Sequence, residues 1–307
     1  MTQSFPNHPP AQQLPGAATE LLAPTRLQPP CWMPQHRALR QNPAAWVGAS
    51  ILLLVAALSL AAPWLAGVDP LATAPAAQLM PPSLSHPAGT DLLGRDVWSR
   101  LLWGGRLSLG AGLFATTLAV LPGTLLGLLA GYAGGRLDMI LMRVVDVLLA
   151  FPSLLLALTI VALLGPGLVS ATLAVGLAGI PRFGRVVRGG VLAVRSEPFV
   201  EAARVVGCRP QRIVLRHVAP NVLSAIIVLS SLELGYALLN IGALSFLGLG
   251  TQPPTPEWGI MLAEGRLLLR HAPWVSAFPG LAITLSVLAV NLLGDALRDA
   301  LDVHTAG

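Results

Sequence analysis

Ionisable side chains are scarce in this chain, so the places where they gather are the places to look for chemistry. Only 11% of the 307 residues are Asp, Glu, Lys or Arg, against 54% hydrophobic. One gathering is His86, Asp91, Arg95 and Asp96. Imidazole and carboxylate are metal-ligand types, but this spacing matches no compact ligand set, and arginines beside carboxylates favour ion pairs. The expected role is a folded turn that positions the apolar run behind it. A second gathering is Arg143 and Asp146, three apart on one helix face and able to pair with each other. A third is Glu233 and Asn240, seven apart and so two turns along one face of an apolar helix. A charge at the centre of a bilayer costs about 2.5–3.5 kcal/mol on insertion scales, so that face points into protein or a water-filled path. Lining of a path and contact with a partner subunit both fit it. The densest gathering is residues 197–221, EPFVEAARVVGCRPQRIVLRHVAPN, with two Glu and four Arg between two apolar runs.

Several chemistries are excluded by composition. All nineteen basic residues are arginine. Without lysine there is no P-loop, no Schiff base and no Ser-Lys dyad, so ATP energy would require another chain to bind the nucleotide. G-x-S-x-G, H-E-x-x-H and a pair of intramembrane aspartates are all missing, which leaves a membrane-embedded hydrolase without its residues. Cys31 and Cys208 predict no disulfide framework. No catalytic residue, metal site, cofactor or nucleic-acid contact is expected.

The elements that carry these residues are membrane helices. A soluble domain is about one quarter charged, and mean hydropathy here is +0.70. Crossing the hydrocarbon core takes about 20 apolar residues of helix. Six runs qualify as spans: 44–65, 107–130, 139–164 with Pro152 inside, 167–180 continuing past Pro181, 222–249 and 274–293. None alternates as a barrel strand does. The expected fold is an all-α polytopic membrane protein with six transmembrane helices. Residues 1–43, rich in Pro, Gln and Ala, read as a disordered cytoplasmic tail and not as a secretory signal. Residues 44–105 hold the first helix and an extracytoplasmic loop, 106–297 a five-helix transmembrane domain, and 298–307 a cytoplasmic C-terminus. With the N-terminus inside, fourteen arginines fall on inner segments and five on outer ones, so the positive-inside rule places both termini in the cytoplasm. The loop TQPPTPEW, residues 251–258, then lies outside, as a surface turn or as a contact for an extracytoplasmic protein.

The polar segment 196–220 has its own helix signals. Ser196 is placed to cap a helix whose first turn holds Glu197 and Pro198. Gly207 is placed to end that helix in a left-handed conformation. Arg209-Pro210 starts a second short helix, through residues 211–218, expected to stop before Pro220. The small side chains of Ala202 and Ala203 keep one face thin, and Glu201 supplies a fixed anion. A basic surface loop and a docking element for a partner both fit this description.

Glu201-Ala202-Ala203, three further residues, Gly207 and the distal Pro220 resemble the EAA loop of bacterial ABC importer permeases. The segments APWLAGVDPL, HPAGTDLLGRDVWSRLLWGGRLSL, SFLGLGTQPPTPEWGIML and FPGLAITLSVLAVNLLGDALRDALD are similar to the C-type permease of oligopeptide, dipeptide and nickel importers. The resemblance runs from about Trp46 to Asp302. His217 and Ala219 depart from the general I-x-L-P ending, and R-H-V-A-P-N resembles its peptide-transport branch. The resemblance implies a type I ABC importer permease fold in the bacterial inner membrane, with a cytoplasmic coupling helix. Glu201, Ala202, Ala203, Gly207 and Pro220 would meet the ATPase, and Glu233 and Asn240 are candidates for the translocation path. Implied partners are a B-type permease, two cytoplasmic ABC ATPase subunits, an extracytoplasmic solute-binding protein and the lipid bilayer. The chain itself would be no enzyme. Its solute would be a di- or oligopeptide; nickel or a metal chelate is the alternative within the family. Outside it, a proton-coupled secondary transporter using Glu233, Asp146 or Asp295 is the rival, though no inverted repeat supports it.

Overall fold

The computed structural model describes residues 42–302; most of the expected N-terminal tail and the last five residues lie outside them. Helix α1, Pro43–Leu60, opens where Asn42 Oδ1 accepts from Ala44 N at 2.9 Å. A single helical turn, Ala62–Leu65, leads into a loop that ends at Asp96. The Asp96 carboxylate accepts from Ser99 N at 2.7 Å and starts α2, Val97–Ala133, well before residue 107. The cap and a buried first turn set that start, whereas the apolar run alone placed it later. Gly134, at φ +66°, ends the helix.

The third expected span is broken. Helices α3, Gly135–Leu149, and α4, Ser153–Leu164, meet at 90°. Pro152 explains the break, since it has no N–H to donate and pushes the residue before it out of helical geometry. Helix α5, Leu168–Arg195, passes through Pro181. Helix α6, Pro198–Val205, is followed by α7, Pro210–Phe246, then α8, Trp258–Gly265, and α9, Trp274–Asp302. No strand forms among the described residues; Thr90 and Asp96 share an isolated bridge.

By length and apolarity, α1, α2, α7 and α9 are able to cross a membrane, and α3 with α4 adds a fifth if the bent pair is one span. Helix α5 is long enough at 28 residues but carries Arg182, Arg185 and Arg188. The chain is thus an all-helical, multi-pass membrane protein.

The core is organised by close backbone approach between α2 and α5, which run parallel. Ala111, Ala115, Ala119, Gly123, Gly127 and Gly131 form a buried stripe at a spacing of four along α2. A Cβ added at Gly123 would lie 2.5 Å from Phe183 Cβ, and one at Gly127 2.6 Å from Val187 Cβ. Inside a bilayer no hydrophobic gain separates helix contact from lipid contact, so small residues that admit such proximity direct association. The opposite face of α2 exposes Leu113, Phe114, Leu121, Leu125 and Leu129, as a lipid-facing surface should. Helix α1 lies on α9, where a Cβ at Gly48 would come within 2.7 Å of the Ala289 carbonyl.

Candidate transport and coupling site

The segment joining α5 to α7 is built from local signals. Ser196 closes α5, its Oγ donating to Ala193 O at 2.8 Å, and does not cap α6 as expected. Glu197 holds the N-cap position of α6, and Pro198 fills its first turn. Position 197 is preferred because proline fixes the helical start one residue later than Ser196 would require. At the other end Gly207 N donates to Arg204 O at 2.9 Å and Cys208 N to Ala203 O at 3.0 Å, with Gly207 at φ +82°. These two bonds form a Schellman cap, as the glycine predicts. Val200 is fully buried against Val187, Val191, Ile213, Val218 and Val222, so α6 is anchored to the feet of α5 and α7.

The second helix of the segment does not stop before Pro220. Pro210–Ile213 passes into a π-turn, Val214–Val218, and then directly into Ala219–Phe246. Ala219 N donates five residues back to Val214 O. A wider turn accommodates a proline ring that would clash in a regular α-ladder, and Asn221 Nδ2 donates to His217 O at 2.5 Å. The element is therefore one short helix hinged to the foot of a long one. Glu201, Ala202, Gly207 and Pro220 are exposed, while Ala203 packs inward on the valine cluster. Phe199, Val205, Val206 and Leu215 expose apolar surface beside them. The ring of His217 packs on Phe199 at 6.4 Å between centroids, so this departure from the general motif ties α6 to α7.

A second polar site lies within the helical bundle. Glu233 is buried, and Arg182 Nη1 donates to its Oε2 at 2.9 Å. The guanidinium also lies 4.7 Å from the ring centroid of Tyr236, a cation–π distance. Asn240 and Ser153 line the same cleft, which holds about 10 Å³, room for one water. Sequence reasoning found Glu233 and Asn240 but not Arg182 or Tyr236. Farther along α5, Arg185 pairs with Asp146, and Arg188 holds Asp138 at 2.5 and 2.7 Å. Asp146 thus pairs across helices rather than with Arg143; its helix lies beside α5, and Arg185 reaches it.

Residues 123–306 match the family of binding-protein-dependent transport system inner membrane components. Residues 33–82 match the N-terminal transmembrane domain of oligopeptide transport permease C. The chain belongs to this permease family. It is 46% identical over 271 residues to a dipeptide transport system permease protein of Alkalihalophilus pseudofirmus, covering 88% of this chain and 89% of that one. A glutathione transport system permease protein of Pectobacterium atrosepticum is 46% identical over 268 residues, with 87% and 89% covered. A di/tripeptide transport system permease protein of Pseudomonas aeruginosa is 44% identical over 272 residues, with 87% and 90% covered.

In the permease the first gathering of ionisable residues is a buried ion-pair cluster. Asp91 Oδ2 accepts from Arg95 Nε at 2.6 Å and from Arg100 Nη1 at 3.0 Å, while its Oδ1 accepts from the backbone N of Leu93 and Arg95. Glu264 of α8 completes the cluster, accepting from Arg95 at 3.0 Å and Arg100 at 2.8 Å. His86 Nδ1 meets Asp96 at 2.9 Å. The expected ion pairs form, and they clamp the loop onto the start of α2 and onto α8. Glu257, at the end of the proline-rich loop, is also buried. It accepts from Ser108 Oγ at 3.0 Å and caps α8 through Gly259 N and Ile260 N. The long-range roles of Glu257 and Glu264 were not visible in the sequence, because Ser108 and Arg95 lie about 150 or more positions from their acids; the Glu257 cap of α8 is local and was not read.

Proposed function

We propose that the permease is one half of the membrane pathway of an ATP-driven peptide importer, carrying di- or oligopeptides or a small peptide such as glutathione. The observation that carries this reading is near-full-length identity of 44–46% to permeases named for dipeptide, di/tripeptide and glutathione transport. A B-type permease supplies the other half, two ATPase subunits drive it, and an extracytoplasmic binding protein delivers the solute.

The chain crosses the bilayer six times, with α3–α4 and α5 as the third and fourth crossings and both termini in the cytoplasm. The arginine distribution supports that orientation, and the ion pairs of α5 lower the cost of placing its arginines there. Helix α6 is the coupling helix: Glu201 and Ala202 on its outer surface, with Gly207 at its end and Pro220 at the foot of α7, meet the ATPase, and Ala203 seats it on the bundle. Its anchored underside and exposed apolar flank support this role. Glu233 and Asn240 belong to the translocation path.

The test is uptake of a labelled dipeptide into proteoliposomes. Uptake is expected only when both permeases, the ATPase subunits, the binding protein and ATP are present. Gradient-driven uptake by this chain alone would overturn the reading in favour of a secondary transporter.

A further inference from the structure

The three arginines of α5 are paired in different ways, and the difference singles out one of them. Arg185 and its partner Asp146 are both about half exposed, so the pair neutralises itself at the surface. Arg188 is held by both oxygens of Asp138. At Arg182 the acid lies underneath: Glu233 is 5% exposed and the arginine 35%. The carboxylate fits there because position 179 is glycine, where an added Cβ would lie 2.7 Å from Glu233 Oε1. Tyr236 fixes the guanidinium from the side. One N–H is committed to Glu233, and the arginine side chain, 35% exposed, lines the cleft with Ser153 and Asn240.

The cleft differs in chemistry from the apolar exposed surface of the bundle. The exposed face of α2 is leucine and phenylalanine, whereas the cleft at Arg182 also holds Ser153, Tyr236 and Asn240. Charged groups within spans face the bundle interior or a water-filled path. A planar fork with a permanent charge matches a carboxylate in two parallel hydrogen bonds. Glu233, bonded to the same fork, holds it in place for such a contact. Buried beneath the arginine, Glu233 is not itself presented to a solute.

We infer that Arg182 binds the C-terminal carboxylate of the peptide in transit, with Glu233 and Tyr236 as positioning residues. This deepens the peptide-import reading and rests on it. The experiment compares dialanine with dialanine amide as solutes for the complete complex in proteoliposomes, with binding protein saturating and initial uptake rates measured. The wild type should carry the acid faster than the amide. Arg182→Gln should cut the acid-to-amide rate ratio at least roughly tenfold, the worth of a charged hydrogen bond, over and above any loss of both rates from leaving buried Glu233 without its partner. Arg182→Lys keeps the charge without the fork and should fall between; it also serves if the glutamine variant fails to assemble. Glu233→Gln should lower the acid-to-amide ratio through its effect on Arg182, a readout that general loss of packing would not move. Arg182 variants that keep the wild-type ratio would overturn the assignment. A wild-type complex that imports no dipeptide would instead remove the peptide reading beneath it.

Discussion

Substitutions at Gly207 separate two features that the coupling role combines, a left-handed backbone and free space above it. The residue sits at φ +82°, and a Cβ added there meets nothing within 4 Å in this chain. Gly207→Ala therefore carries only the backbone cost of a left-handed residue, about 1–2 kcal/mol. That shifts the balance between the capped and uncapped end of α6 by roughly 5–30-fold. Aspartate visits the left-handed region more readily than alanine, so its backbone cost is no greater. Any loss in Gly207→Asp beyond that of Gly207→Ala and the about 0.3–1 kcal/mol cost of an anion at a helix C-terminus belongs to a surface outside this chain. With the complete complex in proteoliposomes, uptake and ATP hydrolysis are measured together, and membrane content of the permease is measured separately. Both variants should insert normally, because the position is exposed and lies beyond the apolar part of α5. Gly207→Ala should reduce uptake by no more than about 30-fold, the bound set by that energy, and Gly207→Asp should abolish it. If the aspartate variant is no worse than the alanine variant, no partner lies over Gly207; if it transports as wild type, the segment does not couple.

Two further substitutions test the packing. Gly127→Ala should destabilise by about 1–3 kcal/mol, since its Cβ meets Val187 Cβ at 2.6 Å and Gly184 O at 2.8 Å, whereas Gly110→Ala, with open space around it, should not. Thermal unfolding of the purified permease checks this, and equal midpoints for the two variants would refute the seam. Asp91→Asn leaves the buried Arg95 and Arg100 with Glu264 as their remaining carboxylate, a loss of about 3–5 kcal/mol by the usual cost of breaking a buried pair. Glu264→Gln, whose side chain is 23% exposed, should cost less. Proteolysis of the loop between residues 66 and 96 ranks the two, and the reverse order would refute Asp91 as the hub.

What the residues disclosed depended on how far apart the interacting groups lie. The cap at Gly207 and the start at Pro198 are local, and each follows from one side chain and its neighbours. Ser196 misled by one position because serine serves equally at the end of one helix and the start of the next. Pro220 misled because a π-turn allows a helix to continue where the regular ladder would end. The partner of Glu233 is 51 residues away on another helix, and no spacing within one segment encodes such a contact. Arg182 was read only as a topological charge for the same reason. The small-residue stripe of α2 is a four-residue period visible in the letters, but its register against α5 needs the fold.

The two kinds of contact along α5 differ in how readily they yield. On the α2 side the backbones touch at glycines, so sliding the helices drives a Cβ of Phe183 or Val187 into a facing chain with no room to give. On the other side α5 meets α3 through two ion pairs: Arg185–Asp146 is about half exposed, and such pairs are worth about 0–1 kcal/mol, whereas Arg188–Asp138, 32% and 16% exposed, is better covered. Helix α6 is seated on Val187 and Val191 of the same rod. A force applied at α6 would therefore be carried by α5 and α2 as a unit. Arg182 lies on the rod and Glu233 on α7, so a displacement transmitted from α6 along the rod would act on the pair that lines the cleft.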